Sequence, residues 1–359
     1  MFVNRMTARK FRAICNYIAG WILATVCISA LGMTAFGEFS LSKLFFMLQL
    51  SIFVGLSHGI YDVVVLQDEM DHRSVPTALF IRSLYFIANI SINYALCILL
   101  WDMNTNSGQF ITDHGLAKVA KEFSSPECIT TIALLFFLAH FFTFSNSVHK
   151  KFGTRVFINT LLGKYQDPVE EDLIFMFIDL RHSTEFAEEL GHVKYSSFMK
   201  DYYKLLSNCC AENRGDIYQI AGDGAFLTWK TSACKKKARP INCFYDFAVC
   251  LDRTKPRFLK KYGVAPSFKA GVHCGKVIST EVGNFGSEMA YHGDVLNTTS
   301  RIQSLCTKLG KDFLISEDLY LKLPLPLPHE FYCHKEGFFE LRGKKKEILI
   351  FSLHTPGQP

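Results

Sequence analysis

The sequence has no CxxC pair among its twelve cysteines. Spaced zinc and dithiol motifs are therefore missing, and the adjacent Cys209 and Cys210 do not readily bridge each other. The pattern predicts reduced thiols in a cytosolic domain, not a disulfide framework. No polybasic tract is long enough to argue for a nucleic-acid partner, and part of the net charge of +6 flanks apolar runs. Internal repeats and low-complexity tracts are absent, which excludes solenoids and arrays.

The most informative absence is of charge. Residues 13–37, 44–61, 83–101 and 128–148 contain no Asp, Glu, Lys or Arg. Each run has the length, about 18 to 25 residues, that crosses a bilayer core of roughly 30 Å. Four consecutive transmembrane helices are predicted, against the alternative of core helices in a large soluble protein. Arg5, Arg9, Lys10 and Arg12 precede the first run, Arg73 and Arg82 lie between the second and third, and Lys150, Lys151 and Arg155 follow the fourth. Only Lys43, Lys118 and Lys121 lie in the other two loops. This bias places the N-terminus and everything after 150 in the cytoplasm. A cleaved signal peptide is the rival for the first run, whose apolar stretch is too long for one. The expected location is a multi-pass protein of the cell membrane, in contact with lipid.

The predicted organisation is an all-α anchor over 1–149, a helical linker over 150–170 and an α+β domain over 171–355. In the linker, Val156, Phe157, Thr160 and Leu161 have helical spacing, and Pro168 ends it. LIFMFIDL, residues 173–180, reads as a buried strand in which seven of eight side chains are apolar. A helix with a turn at Gly191-His192 follows. Next come a hairpin turning at Gly222-Asp223-Gly224, a helix over 239–262, a second hairpin turning near Cys274-Gly275, a helix from Asp294, and closing strands. The helices are expected on one face of the sheet.

Two carboxylates carry the chemistry. Asp179 ends the first strand and Asp223 sits in the next hairpin turn, where two adjacent strands can bring them to one rim. Close carboxylates repel unless a cation joins them, and Mg²⁺ suits one or two carboxylates completed by phosphates and water. The plainer alternatives are a helix cap for Asp179 and an ordinary turn residue for Asp223. In YHGDVLNTTSRI, residues 291–302, Asn297 and Arg301 are four apart on one helix face. An amide and a guanidinium there fit a ribose oxygen and a phosphate, although a solvated helix face would look the same.

FxDL-x-x-ST, a G-D turn 44 residues later and G-D-x-x-N-x-x-x-R together resemble the motif set of class III nucleotidyl cyclases. The resemblance covers roughly residues 170–355 and is nearest to bacterial membrane-anchored adenylate cyclases. It implies a ferredoxin-like α+β catalytic domain making 3′,5′-cyclic AMP and pyrophosphate from ATP, with two Mg²⁺ or Mn²⁺ ions per site. Asp179 and Asp223 match the metal-binding aspartates, with a backbone carbonyl of Ile178 or Leu180 as a further ligand. Asn297 matches the residue that orients the ribose, and Arg301 the one that stabilises the α-phosphate. Lys344 is the best match to a lysine on the terminal phosphates, with Lys345 or Lys346 as alternatives. The turn RHSTEF after Asp179 offers helix N–H groups to phosphate oxygens. In this family the aspartates and the Asn-Arg pair come from different chains, which implies a homodimer.

Base choice is where the match departs. Adenylate cyclases usually carry Lys and Asp where this chain has Gln219 and Ala290, and the Glu-Cys type of pair of guanylate cyclases is also absent. Gln219 offers a donor and an acceptor. ATP is the expected substrate, with GTP or another nucleotide as alternative. A further alternative is a non-catalytic nucleotide-binding receptor, against which the presence of Asp179, Asp223, Asn297 and Arg301 argues. A diguanylate cyclase is excluded by the lack of its G-G-[DE]-E-F turn. In the membrane part, His58, Asp62 and His140 are either a buried cluster for a metal, haem or small ligand, or polar packing between helices.

Overall fold

A computed structural model describes residues 2–36, 41–65, 75–106, 113–152, 164–165, 167–234, 237–283, 288–324, 331–341 and 347–354. The chain divides into two compact units, Met1–Lys151 and Phe152–Pro359. Most of the linker expected over 150–170 lies outside the described residues.

The first unit is helical. Helix α1 spans Phe2–Phe36, α2 Leu41–Ile60, α3 Val75–Asn106, α4 Asp113–Phe123 and α5 Pro126–Phe152. Among the described residues, Leu44–Val63 and Phe80–Trp101 are long and apolar enough to cross a membrane, and the apolar stretches Ala13–Cys27 and Cys128–Phe144 are shorter. Trp21, Leu50, Phe86, Ile90, Leu135 and Ala139 form a core between the helices, while Leu23, Phe45, Phe80, Phe137 and Phe144 point outward and exposed. Helices apolar on both faces belong in a large core or in lipid. Gly55 lets α2 approach α1 closely, since a Cβ there would lie 2.9 Å from the Ile18 Cα. The amphipathic α4 stands where a loop was expected.

Among the described residues, His58, Asp62 and His140 do not form a group that could hold a metal ion. The Phe86 ring lies 4.6 Å from His58 and 5.1 Å from His140, between centroids. The Trp21 indole donates to His58 Nδ1 at 3.2 Å, so the His58 proton sits on Nε2, which faces Thr143 Oγ1 at 3.3 Å. His140 Nδ1 donates to the Phe136 carbonyl at 3.0 Å and its Nε2 accepts from Ser83. Asp62 accepts from the Tyr17 hydroxyl at 2.6 Å. Every imidazole nitrogen of the two histidines is engaged within the protein, as the polar-packing alternative requires.

The second unit is a mixed sheet with helices. Its strands are β1 Val169–Leu180, β2 Asp216–Ala221, β3 Gly224–Lys230, β4 Phe268–Val282, β5 Glu288–His292, β6 Phe313–Ser316, β7 Tyr332–Phe339 and β8 Ile348–His354. Its helices are α6 Ser183–Glu212, α7 Arg239–Tyr262, α8 Val295–Leu309 and the single turn α9 Glu317–Tyr320. The strand order is β2-β3-β1-β4-β6-β8-β7, with β5 also paired to β4. Strand β1 is central and buried, which is why it reads as a continuous apolar run. Helix α6 breaks at Gly191, whose φ of 69° is non-helical, at the expected turn.

Two expectations are corrected. Residues 268–282 are not a hairpin turning at Cys274-Gly275 but one strand, paired with β1 from Phe268 to Ser279. Gly271 and Gly275 are small for packing, not for turning: a Cβ on Gly271 would lie 2.3 Å from Gln303 N, and one on Gly275 3.0 Å from Val295 Cγ2. Nor do the helices share one face. The Phe244 and Phe247 rings of α7 pack on Phe268, whereas α8 lies over Gly271. Phe268 and Gly271 are three apart on a strand, so their side chains point to opposite faces.

Candidate active site

Strands β1 and β3 pair so that Asp179 lies opposite Gly224, and β2 and β3 turn through Gly222 and Asp223. The Leu180 N–H donates to the Asp223 carbonyl at 3.3 Å. Asp179 and Asp223 are thereby held at one rim of the sheet, both half-buried. Gly222 takes the left-handed conformation, φ 64°, that the turn demands. The Tyr203 hydroxyl of α6 lies 3.0 Å from the Gly222 carbonyl and 3.1 Å from that of Gly224, and so clamps the turn from both sides of Asp223. Gly224 is packed shut, because a Cβ there would lie 2.6 Å from the Phe177 ring and 3.2 Å from the Ile178 carbonyl.

Asp179 accepts from the Gln303 amide at 3.0 Å and lies 3.4 Å from the Lys269 ammonium. Its carboxyl is nonetheless pushed above the ordinary carboxylate range, first by burial and then by the charge of Asp223. The same two carboxylates help to push up the Tyr203 phenol, after burial. A rim carrying two mutually repelling carboxylates near backbone carbonyls fits a hard divalent cation. Among the described residues no group of three or more His, Cys, Asp or Glu could hold a metal.

Beyond Asp179 the backbone turns through His182, which takes φ 58°, an uncommon conformation for a non-glycine residue. Helix α6 then starts at Ser183 with no side-chain cap.

Asn297 and Arg301 are not brought to the carboxylates within one chain. Helix α8 buries Thr298, Thr299, Ile302, Gln303 and Cys306, whereas Asn297 is exposed and Arg301 half-buried. Gln303 faces Asp179, and Arg301, two residues earlier, points about 200° away around the helix. Asn297 lies nearer Val295, which packs at Gly275, opposite Leu173 at the other half of β1.

Gln219 is exposed on β2. A bulge between Ile217 and Gln219 sets it opposite Phe226, on the face that carries Asp179. Ala290 pairs with Thr280, and strand alternation turns it to the other face. Its neighbour Tyr291 meets Tyr218 instead, 4.7 Å between ring centroids. The side chains of Ile178 and Leu180 are buried on the face opposite Asp179. Lys344, Lys345 and Lys346 lie outside the described residues.

Residues 166–355, more than half of the chain, match the family described as the adenylate and guanylate cyclase catalytic domain. This chain belongs to the class III adenylate and guanylate cyclase family. Its cyclase domain is similar to Adenylate cyclase 2 of Rhizobium meliloti (strain 1021), 31% identical over 208 residues that make up 57% of this chain and 56% of that protein. It is also similar to the photoactivated adenylate cyclase subunit alpha of Euglena gracilis, 24% identical over 55% of this chain and 19% of that protein. The chain thus spans little more than half of the first relative and about a fifth of the second. The structure of a bacterial light-regulated adenylyl cyclase shares the fold, with a TM-score of 0.52 at 13% identity, covering 65% of this chain and 67% of that one.

Gln303, Lys269 and Tyr203 are the residues of the cyclase domain's site that motif reading missed. A polar Gln303 on the buried stripe of α8, beside Ile302 and Cys306, was the available signal. Tyr203 left none, since its partners are backbone carbonyls.

Proposed function

We propose that the chain is a membrane-anchored nucleotidyl cyclase that converts ATP to 3′,5′-cyclic AMP and pyrophosphate at a site shared by two copies of the chain. In this reading residues 1–149 are a four-helix membrane anchor, 150–170 a helical linker and 171–355 the cytoplasmic catalytic domain. The anchor rests on the four uncharged runs and on the apolar outward faces of Leu23, Phe45, Phe80 and Phe137.

The observation that carries the reading is the geometry of α8. It sets Asn297 and Arg301 on the side turned away from Asp179 and Asp223. The two sets of residues thus face apart on one chain, and a two-fold dimer would join them into two whole sites. Asp179 and Asp223 would hold two Mg²⁺ or Mn²⁺ ions, with a carbonyl of Ile178 or Leu180. Such ions supply Lewis-acid polarisation of phosphate and of the ribose 3′-hydroxyl. Asn297 of the second chain orients the ribose, so that the 3′-oxygen stands in line with the α-phosphorus. Arg301 offers a fixed charge where negative charge grows on the α-phosphate. The uncapped start of α6 donates N–H groups to the triphosphate, and Lys344 holds its end.

ATP is favoured because the similar proteins of Rhizobium meliloti and Euglena gracilis are named adenylate cyclases. GTP is the second reading. Gln219 presents both a donor and an acceptor, and Ala290 has no polar side chain, so neither purine is excluded. Incubating membranes with each of the four nucleoside triphosphates and Mg²⁺ or Mn²⁺, with mass spectrometry of the products, decides between them. Cyclic AMP that disappears in Asp179→Ala is expected. No cyclic product from any nucleotide overturns the enzyme, and cyclic GMP overturns the base alone.

A further inference from the structure

Helix α8 grips Asp179 on one side and carries Asn297 and Arg301 on the other. The Gln303 amide, 3% exposed, donates to Asp179 Oδ2 at 3.0 Å. The Lys269 ammonium stands 3.4 Å from that same oxygen and donates to Thr307 Oγ1 of α8 at 3.1 Å. Gln303 and Thr307 are four apart and share a helix face, so α8 reaches the carboxylate twice, once directly and once through Lys269. There is no slack in the arrangement. A Cβ on Gly271 would lie 2.3 Å from Gln303 N and 2.7 Å from its Cα, so the helix backbone rests on β4 itself.

We propose that Gln303 is a positioning residue that ties the cation-binding carboxylate of a chain to the helix whose Asn297 and Arg301 complete the partner's site. This rests on the cyclase reading above. Both grips fall on Oδ2, which fixes the plane of the carboxylate and leaves Oδ1 to the cation. The Gln303 amide is neutral, so it orients Asp179 without competing for its charge. One rigid helix then reports cation binding at its own site to the groups it lends to the other. Binding at the two sites becomes linked, and the linkage is reciprocal.

The test measures Mn²⁺ binding to the nucleotide-free full-length protein in detergent, by electron paramagnetic resonance of the free ion. Gln303→Met keeps the length of the side chain and removes the donor. It is expected to weaken Mn²⁺ binding about tenfold or more, as removal of a partner behind a metal ligand does. Gln303→Glu sets a third carboxylate beside Asp179 and is expected to tighten Mn²⁺ binding, a direction that misfolding cannot produce. Thr299→Val is the packing control. Thr299 is fully buried on the same helix with its hydroxyl on the Val295 carbonyl, and the change is expected to leave Mn²⁺ affinity as in the wild type. The inference is overturned if Gln303→Met binds Mn²⁺ like the wild type, if Gln303→Glu fails to tighten it, or if Thr299→Val reproduces the loss. Cyclic product from the wild-type preparation keeps the two readings apart: its absence sinks the cyclase, whereas product with unaltered Mn²⁺ binding in Gln303→Met sinks only the role of Gln303.

Discussion

Gly271→Ala would place one methyl group between β4 and α8. Its carbon would start 2.3 Å from Gln303 N, where ordinary contact begins at 3.4 Å, so the helix must recede by about 1.1 Å. The obstacle is backbone, which cannot turn aside as a side chain does. Overpacking of this kind costs about 1–3 kcal/mol. For a unit of this size each kcal/mol lowers the melting temperature by roughly 2–4 °C, so the cyclase domain stays folded at assay temperature. Activity should suffer far more. The displaced helix carries Gln303 away from Asp179 and moves Asn297 and Arg301 within the proposed shared site, and a misplacement near 1 Å can cost about 100-fold in rate. Gly275→Ala is the graded comparison. Its methyl would meet only Val295 Cγ2, at 3.0 Å, and the smaller shift should cost correspondingly less. Cyclic-nucleotide formation by membranes, set beside thermal unfolding of the same protein, measures both. Wild-type rate and melting in Gly271→Ala would refute the claim that α8 is seated hard on β4.

Other predictions concern single contacts. Asp179 holds its proton to a higher pH in the folded chain than in the unfolded one, so stability falls as pH rises from the ordinary carboxylate pKa through the raised one. Asp179→Asn should abolish that slope in thermal melts and melt above the wild type near neutral pH without divalent cation. Mn²⁺ should then raise the melting temperature of the wild type only, and the variant should form no cyclic product. Tyr203→Phe removes the hydroxyl that clamps the Asp223 turn. It should cost about 1 kcal/mol in stability but raise the Mg²⁺ needed for half-maximal activity, which a titration of rate against Mg²⁺ would show. Gln219→Lys with Ala290→Asp supplies the usual adenylate-type pair, and the ratio of ATP to GTP turnover should rise. An unchanged ratio would remove these positions from base choice.

Local features of the cyclase domain were legible in the sequence. The apolar run 173–180 forms the larger part of β1, the break at Gly191 is real, and Arg239–Tyr262 is helical over the bounds that the pattern indicates. Asp179 and Asp223 could be paired because a hairpin turn and an adjacent strand leave little freedom. What failed was non-local. Gly275 looks like a turn glycine because the sequence does not tell a need for positive φ from a need for space. The amphipathic stripe of α8 says that one side is buried, but not on which face of the sheet. Gln303 contacts Asp179 across 124 residues of chain, and no spacing rule joins them. The bulge that turns Gln219 toward the face of Asp179 is a register shift between paired strands, and register belongs to the pair.

A site shared by two chains is tested most directly by mixing two broken ones. Asp179→Ala and Arg301→Ala are each expected to form no cyclic nucleotide alone, since each spoils both sites of its own dimer. Coexpressed, half of randomly assembled dimers are mixed and carry one intact site of two, so about a quarter of the wild-type activity should return. Coexpressed variants as silent as each alone, or full activity from either variant by itself, would contradict the account.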